Sequence, residues 1–282
     1  LYSRFFNRVI NELGYVGVLE PFMNLLTQRM VIKDGAKMSN SKGNVVDPNY
    51  LIEKYGADTA RLFCLFASPP ERDLDWNDQG VEGSYRFLQR VWRLVDEHSE
   101  TLKNIDSVTS VPGAAGEQKQ LIQNIHKTIM KVTEDIDIFH LNTAIASVME
   151  LVNMTYKFIE KGNLDPAGQS LFKGSVETIL TVLYPFVPHV ACELWQMLGQ
   201  DITSLGLAWP AWDKELVKEE KVMIAIQVNG KLRDTYETDR DTPIEDLKTE
   251  VVKLEKVAKH LEGKTIRKII AVPNKLINIV CG

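Results

Sequence analysis

Apolar side chains recur at helical spacing through the middle of the chain and alternate with polar ones near its end. Val81, Tyr85, Leu88, Trp92 and Val95 lie three or four residues apart, as do Leu141, Ile145, Val148, Val152 and Tyr156. Such a stripe marks a helix that buries one face. Leu171–Leu183 continues the pattern, and a further helix, Pro188–Leu198, stops at Gly199. Trp92 and Trp195 fall on these stripes and are expected in the core. Residues 81–213 therefore read as a helical bundle, interrupted by a long loop over 104–119, where Asn, Ser, Gly and Pro replace apolar residues.

Before the bundle, residues 1–13 read as a helix ending near Gly14, and Pro21-Phe22 opens a connector to the strand Arg29–Lys33. Pro48–Tyr55 and Thr59–Phe66 read as short helices, separated by Gly56 as the residue past the first and Asp58 as the N-cap of the second. Ala67-Ser68-Pro69-Pro70 then breaks the chain. Pro185 and Pro188 bound a tight turn into a helix, and His189 there reads as a capping or packing residue, with no acid or nucleophile near it in sequence. After Trp209-Pro210-Ala211-Trp212 and the charged run Lys214–Lys221, the period becomes two. Val222–Val228 is a strand, Asn229-Gly230 a hairpin turn and Lys231–Glu237 its return. Ile244, Leu247, Val251, Leu254, Ala258 and Leu261 form one apolar helix face, closed by Gly263, and Arg267–Val272 and Leu276–Val280 are two more strands. Residues 221–282 are thus a small α+β domain.

With 282 residues, 44% of them hydrophobic and 25% charged, the chain has room for two or more domains. It contains no apolar run of membrane-spanning length, and Leu1-Tyr2-Ser3-Arg4 opens in mid-helix rather than with a signal peptide, as in a piece of a longer protein. Cys64, Cys192 and Cys281 stand singly and the five histidines show no ligand spacing, so no metal site and reduced cytosolic thiols are expected. The net charge of −5 argues against a simple electrostatic binder of nucleic acid. Its distribution is uneven: residues 221–282 carry 12 Lys+Arg against 9 Asp+Glu, and from Val251 onward 7 against 2. That tail either meets an anionic partner or is an ordinary lysine-rich surface. Arg86, Arg90 and Arg93 share one helix face, as a phosphate-facing stripe or a solvated one.

The densest chemistry lies in Lys33–Asn44, KDGAKMSNSKGN, directly after the apolar Met30-Val31-Ile32. Ammoniums, hydroxyls and free backbone N–H groups suit a polyphosphate, and Asp47-Pro48 starts a helix immediately downstream. A solvated Gly/Ser/Lys turn would have the same composition.

Resemblance separates these alternatives. Lys37-Met38-Ser39-Asn40-Ser41 resembles the KMSKS signature of class I aminoacyl-tRNA synthetases, and Lys42–Pro48 resembles its continuation in the leucine/isoleucine/valine/methionine subgroup. Tyr55–Arg61, Tyr184–His189 and Arg267–Leu276 are similar, in order, to landmarks of the bacterial leucyl-tRNA synthetases, so that nearly the whole chain is covered. The resemblance implies a multidomain, mainly α protein. Residues 1–47 would end a Rossmann-type catalytic domain with its ATP loop, and 48–80 would be the stem-contact region. Residues 81–213 would be the helical anticodon-binding domain and 221–282 the C-terminal tRNA-binding domain.

It further implies leucine activation by ATP, with Mg2+, and transfer to tRNA(Leu), in a cytoplasmic, monomeric enzyme. Lys37 and Lys42 would be catalytic, and Lys37, Ser39, Asn40, Ser41 and Lys42 would bind the ATP phosphates. Arg86, Arg90, Arg93, Lys253, Lys256, Arg267 and Lys268 would face tRNA. Glu53 and Arg61 would be RNA-facing or solvated. The motif's second lysine is replaced by Asn40, which donates a hydrogen bond without charge, and Lys42 stands two residues on. The piece alone is expected to be inactive and to hold no cofactor tightly. The alternatives are an isoleucyl or valyl homologue and a non-catalytic tRNA-binding module.

Overall fold

The computed structural model describes residues 1–200, 206, 208–217, 221–240 and 242–282. It divides into two compact units, Leu1–Leu216 and Val217–Gly282. Together they are mainly helical with two small sheets.

The first unit begins with α1 (Tyr2–Glu12), none of whose residues is buried. A hairpin follows, β1 (Val31–Lys33) and β2 (Ala36–Lys37), and β3 (Leu74–Asp75) pairs in parallel with β1 on its other side. Asp34-Gly35 makes the turn with φ of 54° and 70°, the left-handed pair that a two-residue hairpin needs. The loop expected after Lys33 is therefore partly a strand. Two helices, α2 (Pro48–Tyr55) and α3 (Ala57–Phe66), pack Leu51 and Phe63 against Leu74 and against Val81 at the start of α4 (Asp78–Asp96). Asp47 caps α2 as expected, its carboxylate accepting from Asn49 N–H at 2.9 Å with Pro48 in the first turn.

The bundle comprises α4, the single turn α5 (Ser99–Leu102), α6 (Gly116–Asp137), α7 (Leu141–Glu160), α8 (Pro166–Leu183) and α9 (Pro188–Met197). The stripes pack as expected, with Leu88, Val95, Ile145, Val148, Val152, Leu171 and Leu180 in one core and Trp195 3% exposed. Each such aliphatic side chain contributes about 1.5–3 kcal/mol. The helix α6 was not among the expected elements, although Leu121, Ile125, Ile129 and Val132 line its buried side at helical spacing. Its first turn takes the last four positions of the expected loop.

The remaining loop is tied down rather than free. Val108 N–H donates to Ser170 C=O at 3.1 Å, and the buried Lys173 ammonium donates to Ile105 C=O at 2.6 Å. Gly174 permits this approach, since a Cβ there would lie 1.9 Å from the Val108 carbonyl oxygen.

The helices α3 and α9 are joined by two ionic side chains. Asp58 is not the N-cap of its own helix; Gly56 takes that position. The Asp58 carboxylate, 4% exposed, instead meets His189 Nδ1 at 2.8 Å and accepts from Val190 N–H at 2.7 Å. It thus caps α9, whose own preceding residue, Val187, has no side chain able to do so. One turn later, the Arg61 guanidinium donates to Phe186 C=O at 3.1 Å and Pro185 C=O at 3.2 Å. Arg61 thus braces the turn before α9 while remaining exposed, so it is not merely solvated. His189 keeps the structural role expected of it, with an acid supplied from a distant part of the chain.

In the second unit β4 (Lys221–Val228) and β5 (Lys231–Asp239) form a hairpin, as do β6 (Ile266–Val272) and β7 (Leu276–Cys281), in the order β5-β4-β7-β6 with β4 parallel to β7. Asn229-Gly230 turns the first hairpin at φ 50° and 78°. A short helix, α10 (Lys214–Val217), precedes β4 at the boundary of the units, and the expected single helix after β5 is two, α11 (Ile244–Val251) and α12 (Glu255–Leu261). Leu254 is extended, at φ −62° and ψ 128°, and Val257 rather than Ala258 enters the core with Leu247 and Val251. The turn at 252–254 re-phases the second segment, so that Val257 takes the core position that unbroken 3-4 spacing would give to Ala258.

Gly174→Ala is expected to lower the stability of this chain by at least about 1–3 kcal/mol through the clash with the Val108 carbonyl. Gly83→Ala, in a helix interior with nothing near the added Cβ, should be neutral or stabilising by up to about 1 kcal/mol. Thermal melting of both variants provides the check; equal melting points would mean the loop yields to the new methyl group.

Candidate nucleotide loop and anion-facing surfaces

The loop leaves the hairpin at Lys37, passes through a short 3-10 turn over Asn40–Lys42, and reverses at Gly43, φ 66°. Ser39 and Ser41 hydroxyls lie 3.1 Å apart. Lys37, Asn40, Ser41 and Lys42 are all exposed, and Ser39 is half-buried. Among the described residues no carboxylate lies within ion-pair distance of either lysine. The structure thus brings the expected phosphate-binding residues onto one short exposed arch, with cations at both ends and hydroxyls between. The arch is shaped by Asn44, whose side chain spans it: Oδ1 accepts from Ser39 N–H at 2.9 Å. Sequence reading assigned Asn44 no role; its position just after a left-handed glycine was the available signal.

On α4, Arg86 and Arg90 line a cleft of about 660 Å³ together with Phe63, Phe66, Asn77 and Asn153. Arg90 is braced: its guanidinium lies 5.2 Å from the Tyr156 ring centre and its carbonyl accepts from Tyr156 OH at 2.8 Å. Burial is the main cause of a raised Tyr156 pKa, so the phenol remains a donor. Arg86 and Arg93 are exposed on the same helix.

In the second unit the lysines differ in what they face. Lys256 meets Asp234 at 3.2 Å, Lys259 meets Glu255 at 2.8 Å and Lys248 meets Glu245 at 2.7 Å. The Asp234 carboxyl is held below its usual range, first by Thr235 N–H and then by Lys256. Lys253, at the helix break, and Lys268, on β6, are exposed. Arg267 lies beside Gly282, where a Cβ would sit 2.9 Å from its guanidinium.

Two family descriptions match. Residues 6–77 match the class I tRNA synthetases (I, L, M and V), and residues 118–251 match the anticodon-binding domain of tRNA ligase. Over 99% of this chain, the leucine–tRNA ligase of Geobacter sp. strain M21 is 52% identical, and that of Nitratidesulfovibrio vulgaris strain DP4 is 46% identical. Over nearly its whole length the chain is similar to leucine–tRNA ligases.

It spans 34% of the length of those relatives. A leucyl-tRNA synthetase of Agrobacterium radiobacter K84, agnB2 LeuRS, solved as a ternary complex with tRNA and LeuAMS, superposes over all of this chain and 36% of its own, with a TM-score of 0.77 at 32% identity. The three segments similar to leucyl-tRNA synthetase landmarks now have places in the fold. Tyr55–Arg61 and Tyr184–His189 are the two sides of the Asp58 and Arg61 contacts. Arg267–Leu276 holds β6 and its turn, where Asn274 adopts φ 57° after Pro273, the pattern of a type II turn. Among the described residues no helix is long and apolar enough to cross a membrane.

Asp58→Ala is expected to destabilise the first unit by about 2–4 kcal/mol, combining a lost cap with lost charge-assisted bonds at a buried site. His189→Ala should cost far less, because its side chain is 76% exposed. Denaturant unfolding of both variants would distinguish them; similar losses would make the histidine contact, not the cap, the main contribution.

Proposed function

We propose that this chain supplies the ATP-phosphate loop and the tRNA-binding parts of a leucine–tRNA ligase, acting with the catalytic and editing portions found in its longer relatives. The carrying observation is the arch of Lys37, Ser39, Asn40, Ser41 and Lys42, held on a hairpin, with both lysines exposed and without an ion-pair partner among the described residues. As the leucine carboxylate attacks the α-phosphorus of ATP, negative charge grows on the leaving pyrophosphate. Lys37 and Lys42 neutralise it, while the serine hydroxyls and Asn40 amide donate hydrogen bonds. Lys42 supplies the charge that Asn40 lacks. Mg2+ accompanies the nucleotide. In this reading residues 1–47 end the Rossmann-type catalytic domain, 48–80 contact the tRNA stem, 81–213 form the anticodon-binding bundle and 221–282 the tail. The enzyme is cytoplasmic and monomeric.

The tRNA contacts are electrostatic and face the backbone. Arg86, Arg90 and Arg93 present a cationic stripe on α4, with Arg90 prepositioned by Tyr156. In the tail, Lys253, Arg267 and Lys268 meet phosphates directly, whereas Lys256 does so in competition with Asp234.

Two experiments on the complete ligase test this reading. Lys37→Ala and Lys42→Ala are each expected to lower the kcat of leucine-dependent ATP–pyrophosphate exchange by about ten- to a thousandfold, and Asn40→Lys should partly restore Lys42→Ala. Wild-type exchange in both lysine variants would instead favour a non-catalytic tRNA-binding module that keeps the loop as a relic.

In the tail, Lys253→Glu with Lys268→Glu should raise KM for tRNA and leave exchange unchanged. Each lost phosphate contact should reduce the log–log salt slope of binding by roughly 0.7–0.9. An unaltered slope would assign these residues to the solvated surface.

A further inference from the structure

The Asn44 side chain is the most heavily bonded polar group of the loop, yet it points away from the exposed residues. Its Oδ1 accepts from Ser39 N–H at 2.9 Å. Its Nδ2 faces three carbonyl oxygens: Lys33 at 3.2 Å, Ala36 at 3.4 Å and Lys37 at 3.3 Å. Three acceptors on one side and a donor on the other fix the amide's orientation, and no other small side chain offers both functions at that reach. Lys33 and Ala36 flank the hairpin turn, Lys37 ends β2 and Ser39 begins the 3-10 turn. One half-buried amide therefore joins both hairpin strands to the arch. Gly43, in the left-handed region, reverses the chain so that Asn44 can pass beneath it.

We infer that Asn44 is the positioning residue of the phosphate loop, setting the spacing of Lys37, Ser39 and Lys42 without touching the nucleotide itself. This rests on the reading of the loop as the site of the ATP phosphates. The chemistry requires cations and hydroxyls to stand where charge develops rather than merely nearby. Displacements of about 1 Å in such groups can cost about a hundredfold in rate. An arch of mostly exposed residues has little packing to hold it, and the half-buried bonds of Asn44 take that place.

Substitution separates positioning from folding. Asn44→Ala removes every bond. Asn44→Asp keeps the shape and the Ser39 contact but turns a carboxylate toward three carbonyl oxygens. In the complete ligase, both variants should accelerate amide hydrogen exchange in the 37–44 segment by about tenfold or more, with the melting temperature nearly unchanged. Both should lower kcat for leucine-dependent pyrophosphate exchange by about ten- to a hundredfold, with KM for leucine unchanged and no recovery at saturating ATP. Wild-type protection of the segment in Asn44→Ala would overturn the inference. So would a loosened segment with full exchange activity in an enzyme that Lys37→Ala disables. If Lys37→Ala and Lys42→Ala are also fully active, the phosphate reading fails first, and the positioning role falls with it.

Discussion

Two side chains one turn apart on α3 hold the first unit together. Asp58 closes the start of α9 and Arg61 takes up two carbonyls of the turn before it. Neither set of backbone groups has a partner in its own segment, because Pro188 begins α9 directly after Val187, whose backbone is non-helical and whose side chain cannot cap. The same short helix serves both hydrophobic clusters. Leu62 packs in the bundle core, while the neighbouring Phe63 packs with Leu51, Leu74 and Val81 beneath the hairpin. The helix α3 is therefore the joint through which the loop-bearing sheet is oriented on the bundle. In the proposed role the loop presents cations to a reacting phosphate, which calls for such a rigid base.

The elements specified by local chemistry were legible in the sequence. Proline and aspartate at the start of α2, the Asn229-Gly230 turn and the apolar stripes of α4, α7 and α8 all read correctly, because each signal and its consequence lie within a few residues. Asp34-Gly35 carried the same kind of signal as Asn229-Gly230, but was absorbed into the surrounding Gly/Ser/Lys composition. The helix α6 was obscured by the loop before it, whose polar residues run directly into a helix with a largely polar outer face. The break at Val252–Leu254 could not be read locally: no Gly or Pro marks it, and the 3-4 spacing continues across it. It shows only in the fold, where the second segment turns Val257 rather than Ala258 onto the sheet.

The candidate site divides in the same way. Lys37, Ser39, Ser41 and Lys42 are candidates by residue type and by the resemblance of the motif, both confined to a few consecutive residues. Asp58, Arg61 and Asn44 act through partners that only folding brings near. Asp58 reaches His189 across 131 positions of sequence. Read alone, it resembled a helix cap, and it is one, though of a different helix. Arg61 showed the same ambiguity: nothing near it in sequence announces that the carbonyls of residues 185 and 186 accept from its guanidinium.

The pairing of cations distinguishes the two surfaces further. In the tail helices, three lysines have carboxylates at 2.7–3.2 Å. Such exposed pairs contribute little to stability, yet they locally neutralise the surface that the lysine count made look basic. Around the loop no such compensation exists among the described residues, although acids outnumber bases in the chain as a whole. Lysine charge left unpaired on an acidic protein is where an incoming polyanion gains most, since no internal ion pair must first be broken. In the tail the ion pairs among the described residues leave Lys253, Arg267 and Lys268 as cations comparable to those of the arch between Lys37 and Lys42.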